Sequence, residues 1–353
     1  MKTATSDAPW IEGVVATPVG GVPRVATTLT LADRLGGWKA RWAIGRMRHS
    51  VEPGLYAVGS PTPQSPVFVS ANYKMSFDRL RSSLDGRDGW VLVLDTKGIN
   101  VWCAAGKGTF GTDELVHRIE AVRLDELVAH TVLIVPQLGA TGVSAHEVKR
   151  QSGHKVVYGP VRAEDLPAFL DAGMKATPEM RRVRFDLRDR MVLIPVEFVI
   201  ALKYVLIVAA AFLVFAGLGR DGFLLERLGS IGVWYAVLFV AAFVAGSVLL
   251  PALLPWLPGR AFSTKGIWVG LVVVGGTIAL GAAAHADVFS RWPALVGWVL
   301  FVVALASFSA MNFTGATTYT SLSGVRREMR VALPLQIACA AVGVALWLVG
   351  RFV

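Results

Sequence analysis

Asn100-Val101-Trp102-Cys103-Ala104-Ala105-Gly106-Lys107-Gly108-Thr109-Phe110 is the stretch on which the reading of this chain turns. It follows the apolar run Trp90-Val91-Leu92-Val93-Leu94, which predicts a buried strand. Asp95-Thr96-Lys97-Gly98 is the turn that leaves it. Asn100 is a good N-cap, and Val101 to Ala105 predict a short helix that Gly106 and Gly108 end. Cys103 falls in its first turn, where unpaired N–H groups and the positive end of the helix dipole favour a thiolate. Lys107 adds a positive charge nearby, and a thiolate so presented suits a soft metal. A second reading stays open on these residues alone: a lone Cys beside Trp and Ala is more commonly a small buried hydrophobe. A phosphate loop is excluded, because Val101 and Gly108 stand where that motif needs Gly and Ser or Thr.

Outward from this stretch, the soluble half alternates strand and helix patterns. Pro53 to Pro61 and Pro66 to Lys74 read as two short strands with a Pro-rich loop between them, and Ser76 as the cap of a helix carrying Phe77, Leu80 and Leu84. Thr112 is expected to cap a helix through Leu115, Ile119 and Val122, followed by a strand at Thr131–Val135. The loop Pro136 to Ser144 leads into a helix near 144–151, a strand at Lys155–Tyr158 and a helix within 162–173. Trp10 to Thr30 suggests short strands. Leu31 to His49 suggests a helix with Trp38, Trp42 and Ile44 near one face; its Lys39, Arg41, Arg46 and Arg48 most simply form a solvated side, with contact to membrane headgroups as the less favoured alternative. This order predicts a Rossmann-like α/β domain with a parallel sheet. Ligands of such sheets sit beyond the C-terminal strand ends. Both the Cys103 helix and the 138–143 loop, with Gly139, Thr141 and Gly142, leave such ends. The two glycines either allow close backbone approach to a flat ligand or are simple turn residues.

The chain has 353 residues, 54% hydrophobic and only 17% charged, which points to a membrane protein. The apolar content is concentrated in the second half. Spans near 198–218, 232–252, 266–285, 293–312 and 332–350 each approach the roughly 20 residues that cross a bilayer. The expected domains are therefore 1–185, soluble, and 186–353, an all-α transmembrane domain of five helices. Net charge is +10, but no nucleic-acid reading motif accompanies it. The basic residues instead flank the spans. Ten (Arg181, Arg182, Arg184, Arg188, Arg190, Arg260, Lys265, Arg326, Arg327, Arg330) fall on one expected side against four (Arg220, Arg227, Arg291, Arg351) on the other. That asymmetry places the soluble half in the cytoplasm and the C-terminus outside. Residues 1–9 read as loose, and Met1 to Asp7 lacks the apolar core of a signal peptide. Lys203 is expected to snorkel, and Gly266 with Gly270 makes a small-xxx-small pair. The only cysteines, Cys103 and Cys339, cannot supply the usual four thiolates of an iron–sulfur cluster.

Residues 100–110 resemble the cap-helix signature of the HgcA family, the membrane-bound corrinoid proteins of mercury methylation. Residues 53–84 resemble the corrinoid-binding domain of the corrinoid iron–sulfur protein large subunit of the acetyl-CoA pathway, a domain that family shares. Lys175 to Arg181, Val192 to Glu197 and Met311 to Thr318 also resemble the family. The resemblance implies cobalamin or a related corrinoid, with the Cys103 thiolate as lower axial ligand of cobalt. Asn100, Val101, Trp102, Ala104, Ala105, Gly106 and Lys107 would shape the cap helix, and Gly139, Thr141 and Gly142 would border the cofactor. The absence of an Asp-x-His-x-x-Gly motif around any of the six histidines agrees with a Cys ligand. The implied activity is a corrinoid-dependent methyltransferase that makes methylmercury from Hg(II) at the inner membrane. Its implied partners are a folate-dependent methyl-donor system and an HgcB-like ferredoxin with two 4Fe–4S clusters, and they include no nucleic acid. A strongly donating thiolate would favour methyl leaving as a carbanion or radical, as the electrophile Hg(II) requires. The alternative is a membrane-anchored methyl carrier of one-carbon metabolism with another acceptor.

Overall fold

The structure, a computed structural model, describes residues 8–284, 288–313 and 322–353. Two compact units follow each other, Met1–Val183 and Arg184–Val353. The first is an α/β domain and the second a bundle of long apolar helices.

The first unit is built on a seven-stranded sheet: β1 (Ile11–Thr17), β2 (Gly20–Val25), β3 (Gly54–Val58), β4 (Val67–Ala71), β5 (Gly89–Leu94), β6 (Val132–Val135) and β7 (Lys155–Tyr158). Their spatial order is β1-β2-β3-β5-β4-β6-β7. The expected parallel sheet is present only in part. β5, β4, β6 and β7 run parallel, whereas β3 is antiparallel to β5 and β1 forms an antiparallel hairpin with β2. β2 runs parallel to β3, whereas no helix separates β3 from β4, and these two flank β5 in opposite directions.

Helices cover both faces, and the central strands β4 and β5 are therefore buried at every position and apolar except for Ser70. On one face Val69, Leu92, Leu94, Leu133 and Val135 meet α3 (Val101–Lys107), α4 (Thr112–Ala121) and α5 (Ala145–Ser152). On the other, Phe68, Val91, Val93 and Ile134 meet α2 (Lys74–Ser83) and α6 (Leu166–Asp171). Helix α2 starts two residues before the expected cap Ser76, from Tyr73, and Gly111 rather than Thr112 is the N-cap of α4. Helix α1 (Leu31–Arg41) carries a complete capping box between Thr30 and Asp33. A buried ionic cluster ties it to α2. Lys74 reaches Asp33 at 2.8 Å and Asp78 at 2.5 Å, and Arg81 reaches the same two carboxylates at 2.9 and 2.7 Å. Burial opposes ionisation of Asp33, but hydrogen bonds from Lys74 and Thr30 outweigh it and hold the carboxyl well below the usual carboxylate range.

In the second unit a short helix α7 (Leu187–Met191) precedes α8 (Ile194–Phe215), α9 (Val233–Leu253), α10 (Phe262–Ala283), α11 (Trp292–Asn312) and α12 (Leu322–Val349). The described residues thus contain five helices long and apolar enough to cross a membrane. The last begins ten residues earlier than expected and carries Arg326, Arg327 and Arg330 within its first turns. Gly266 and Gly270 do bring two helices together: a Cβ on either would lie 2.5 Å from Ser307 Cα or 2.8 Å from Val303 Cα of α11. Two of the flanking cations are not free surface charges. Arg190 is buried and donates to the carbonyls of Pro251 (2.7 Å), Ala252 (3.3 Å) and Phe185 (2.8 Å). Buried Lys265 donates to those of Leu254 (3.0 Å) and Leu257 (2.5 Å). Both close the C-terminal end of α9. Lys203 is exposed on α8. Thr314 to Thr318, His285 and Met1 to Asp7 lie outside the described residues.

Candidate functional site

The parallel strands β5, β4, β6 and β7 deliver their following segments to one edge of the sheet. After β5, the turn 95–99 is held from the neighbouring strand. Asn72, just past β4, accepts hydrogen bonds from the backbone N–H of Thr96 (3.1 Å) and of Gly98 (3.0 Å). The Thr96 hydroxyl lies 2.8 Å from the same oxygen and 2.6 Å from the Ile99 carbonyl. Both residues are buried. Beside them, Asp95 pairs with Lys97, and its N–H donates to Glu114 of α4 at 2.8 Å. Burial works against the charge on Asp95, yet the bonds from Lys97 hold its carboxyl below the usual range. Residue type alone gave no sign of this clamp, because its partners are about two dozen positions apart.

The clamp sets the start of α3. Asn100 is its N-cap, and its side-chain oxygen accepts from the Cys103 N–H at 2.9 Å. The N–H of Cys103 is therefore satisfied, in contrast to the unpaired group expected there. Gly108, in the left-handed region at φ +83°, ends the helix, whereas Gly106 lies inside it. Val101, Ala104 and Ala105 face the core; Cys103, Gly106 and Lys107 face outward and are exposed. The buried-hydrophobe reading of Cys103 is thus overturned. One turn on from the thiol, a Cβ at Gly106 would meet nothing within 4 Å, so the outer face of α3 is open and low beside the sulfur.

The 138–143 loop reaches the same place, and its glycines have a defined task. A Cβ on Gly142 would lie 2.2 Å from the Phe110 carbonyl oxygen and 3.0 Å from Ala105 Cα. One on Gly139 would lie 2.5 Å from the Phe110 ring. Their close backbone approach is to the cap-helix segment itself, not to an open face. Thr141 is exposed. The loop is also pinned by the Ser144 N–H donating to the Thr112 hydroxyl (2.9 Å) and the Tyr158 hydroxyl donating to the Val143 carbonyl (2.5 Å).

Beside the first turn of α3 a cleft of about 440 Å³ runs across the strand ends. Asn100 and Trp102 form one wall, Tyr73 and Arg79 another, and Leu138 and Pro160 close it. None of the described histidines lines it. Cys103, Gly106, Lys107, Gly139, Thr141 and Gly142 are not among the residues that line the cleft, so the exposed thiol and this largely apolar cleft are neighbouring features, together suited to a flat ligand that needs a soft donor and apolar edges.

Comparison with known proteins bears on the same half of the chain. Residues 43–170 match the family described as CO dehydrogenase/acetyl-CoA synthase delta subunit. The acetyl-CoA decarbonylase/synthase complex subunit gamma of Archaeoglobus fulgidus is 33% identical over 123 residues, 34% of this chain and 26% of that protein. The subunit gamma of Methanopyrus kandleri is 32% identical over 128 residues, 36% of this chain and 27% of that protein. That of Methanosarcina acetivorans is 29% identical over 126 residues, 35% of this chain and 26% of that protein. The chain spans about a quarter of the length of these relatives. The matched family stretch ends before the membrane helices and contains both α3 and the cleft. These similarities support a corrinoid domain in the soluble unit, related to one-carbon proteins, and single out no mercury-methylating family.

Proposed function

We propose that this chain is a membrane-anchored corrinoid methyltransferase whose acceptor is Hg(II), in which the Cys103 thiolate would hold the cobalt. The single observation that carries the reading is the exposed thiol of Cys103, set at the start of a capped helix over the C-terminal strand ends of a domain with corrinoid relatives. The chemistry that a bound corrinoid would supply is methyl transfer at cobalt. The residues of the chain bind and orient. Asn100 fixes the first turn of α3, the Asn72–Thr96 clamp fixes the turn before it, and Gly108 closes the helix behind it. Gly139 and Gly142 let the neighbouring loop brace this helix from within. Lys107 stands one turn after Cys103 on the same exposed side of the helix. Trp102 and Leu138 exclude water from the adjoining cleft.

The same proposal takes a methyl donor, folate-dependent in this reading, and a ferredoxin-like partner of the HgcB kind for reducing equivalents. It places the soluble unit on the cytoplasmic side of the inner membrane. A second reading is favoured by the acetyl-CoA decarbonylase/synthase subunits that the chain resembles: a corrinoid methyl carrier of one-carbon metabolism, with an acceptor other than mercury. One assay separates the two. Full-length protein reconstituted with cobalamin, given a methyl donor and reductant, is offered Hg(II), with Cys103→Ala in parallel. Methylmercury from the wild type and none from the variant is expected. Equal yields from both would remove Cys103 from the chemistry, and no product from either, with cofactor bound, would favour the carrier.

A further inference from the structure

A surface helix ordinarily turns its large apolar residues inward and its small or polar ones out. Helix α1 does the reverse. Gly36, Gly37, Ala40 and the ion-paired Asp33 face the domain, with a Cβ on Gly36 placed 2.9 Å from the His49 ring. Leu31, Leu35 and Trp38, at i, i+4 and i+7, stand outward and are 72%, 50% and 55% exposed. Trp42 continues the stripe, its ring 5.6 Å from that of Trp38. Just beyond, Ile44 and Met47 are exposed as well, the latter in the middle of a 3-10 turn at Arg46–Arg48. Scattered exposed apolar residues are ordinary, but a contiguous stripe of this size marks a contact surface.

The charge around the stripe is of one sign. Arg34, Lys39 and Arg48 are exposed, and the only acidic residue between Leu31 and His49 is Asp33, which is turned inward and paired. Leucine and tryptophan on one face with cations at its rims is the composition of a helix that lies in a membrane interface. The same chain carries five spans, so a bilayer is always tethered within reach and an individually weak contact becomes effective.

We propose that α1 and the following turn to Met47 dock on the surface of an anionic bilayer. Trp38 and the leucines enter the headgroup–acyl boundary while Arg34, Lys39 and Arg48 meet lipid phosphates. The surface is independent of the corrinoid chemistry, since it uses none of the residues of the candidate site.

The test places a nitroxide at Leu35→Cys in full-length protein whose Cys103 and Cys339 are replaced by Ser, in nanodiscs with and without phosphatidylglycerol. The control label is at Lys149→Cys, an exposed position on α5. With phosphatidylglycerol, collisions of the Leu35 label with oxygen should rise severalfold relative to those with a water-soluble nickel chelate, and the control should not change. Adding Trp38→Glu, an outward substitution that leaves the core untouched, should reverse the shift. A Leu35 label equally open to the nickel chelate in both nanodiscs would overturn the proposal. So would one shielded from both reagents, which reports a protein partner or a second copy instead of lipid.

Discussion

The two units of this chain solve the same two problems, buried charge and close backbone approach, in different ways. In the α/β unit, buried cations meet carboxylates first: Lys74 and Arg81 share Asp33 and Asp78, and Arg81 adds the Ala26 carbonyl. In the helical unit, the buried cations Arg190 and Lys265 meet backbone carbonyls at the end of α9. The difference follows from the solvent. Helix-end carbonyls in a water-exposed domain can turn to water, whereas near hydrocarbon they must find a donor in the protein. Glycine divides in the same manner. In the membrane unit Gly266 and Gly270 serve helix packing alone, while in the soluble unit Gly139 and Gly142 brace the one helix that presents a thiol. Spacing and small size are alike in both; the element on the other side of the contact decides what each glycine does.

Breaking the ionic cluster should give the largest effect. Asp33→Ala leaves Lys74 and Arg81 sharing one carboxylate and should cost the soluble unit about 3–5 kcal/mol, read by denaturant unfolding, with the helical unit unchanged. The pH dependence has a fixed sign. Because the Asp33 carboxyl is held below its ordinary value, its contribution is complete above the usual carboxylate range, near pH ~4, and is lost as pH falls below it. Wild-type protein should therefore lose stability in acid more steeply than Asp33→Ala.

Next in size, Arg190→Ala should destabilise the helical unit by about 1–3 kcal/mol, because carbonyls of Pro251 and Ala252 lose their donor. Thermal melting in nanodiscs checks this, and the soluble unit should not respond. Gly142→Ala sharpens the contrast from the other side. Its Cβ has no room against Phe110, so a cost of about 1–3 kcal/mol is expected together with weaker corrinoid binding. Asn100→Ala should cost less, about 1 kcal/mol, by removing the cap on the Cys103 N–H. A Ser at position 100 should restore most of it.

Much of the site was readable before the fold was known, because α3 is a local object. Asn100, the Ala pair and Gly108 state its start, inner face and end within a few residues. The apolar runs at 90–94 and 132–135 likewise declare strands buried on both faces. What was not readable depends on partners distant in sequence. The antiparallel insertion of β3 beside β5, the hold of Asn72 on Thr96 and Gly98, and the tasks of Arg190 and Lys265 all belong to this class. Helix α1 shows a different limit. Its periodicity groups Trp38 and Trp42 on one face, but periodicity cannot say which face turns inward, and here the small side does.

The central claim is that the exposed thiol of Cys103 is a cobalt ligand. The most direct measurement is the optical spectrum of full-length protein reconstituted with cobalamin, wild type beside Cys103→Ala, whose stability should differ by no more than about 0.5 kcal/mol. Both proteins should bind the corrinoid, and its visible bands should shift when the thiol is removed. Identical spectra from two loaded proteins would contradict it and leave Cys103 a surface residue of a corrinoid domain.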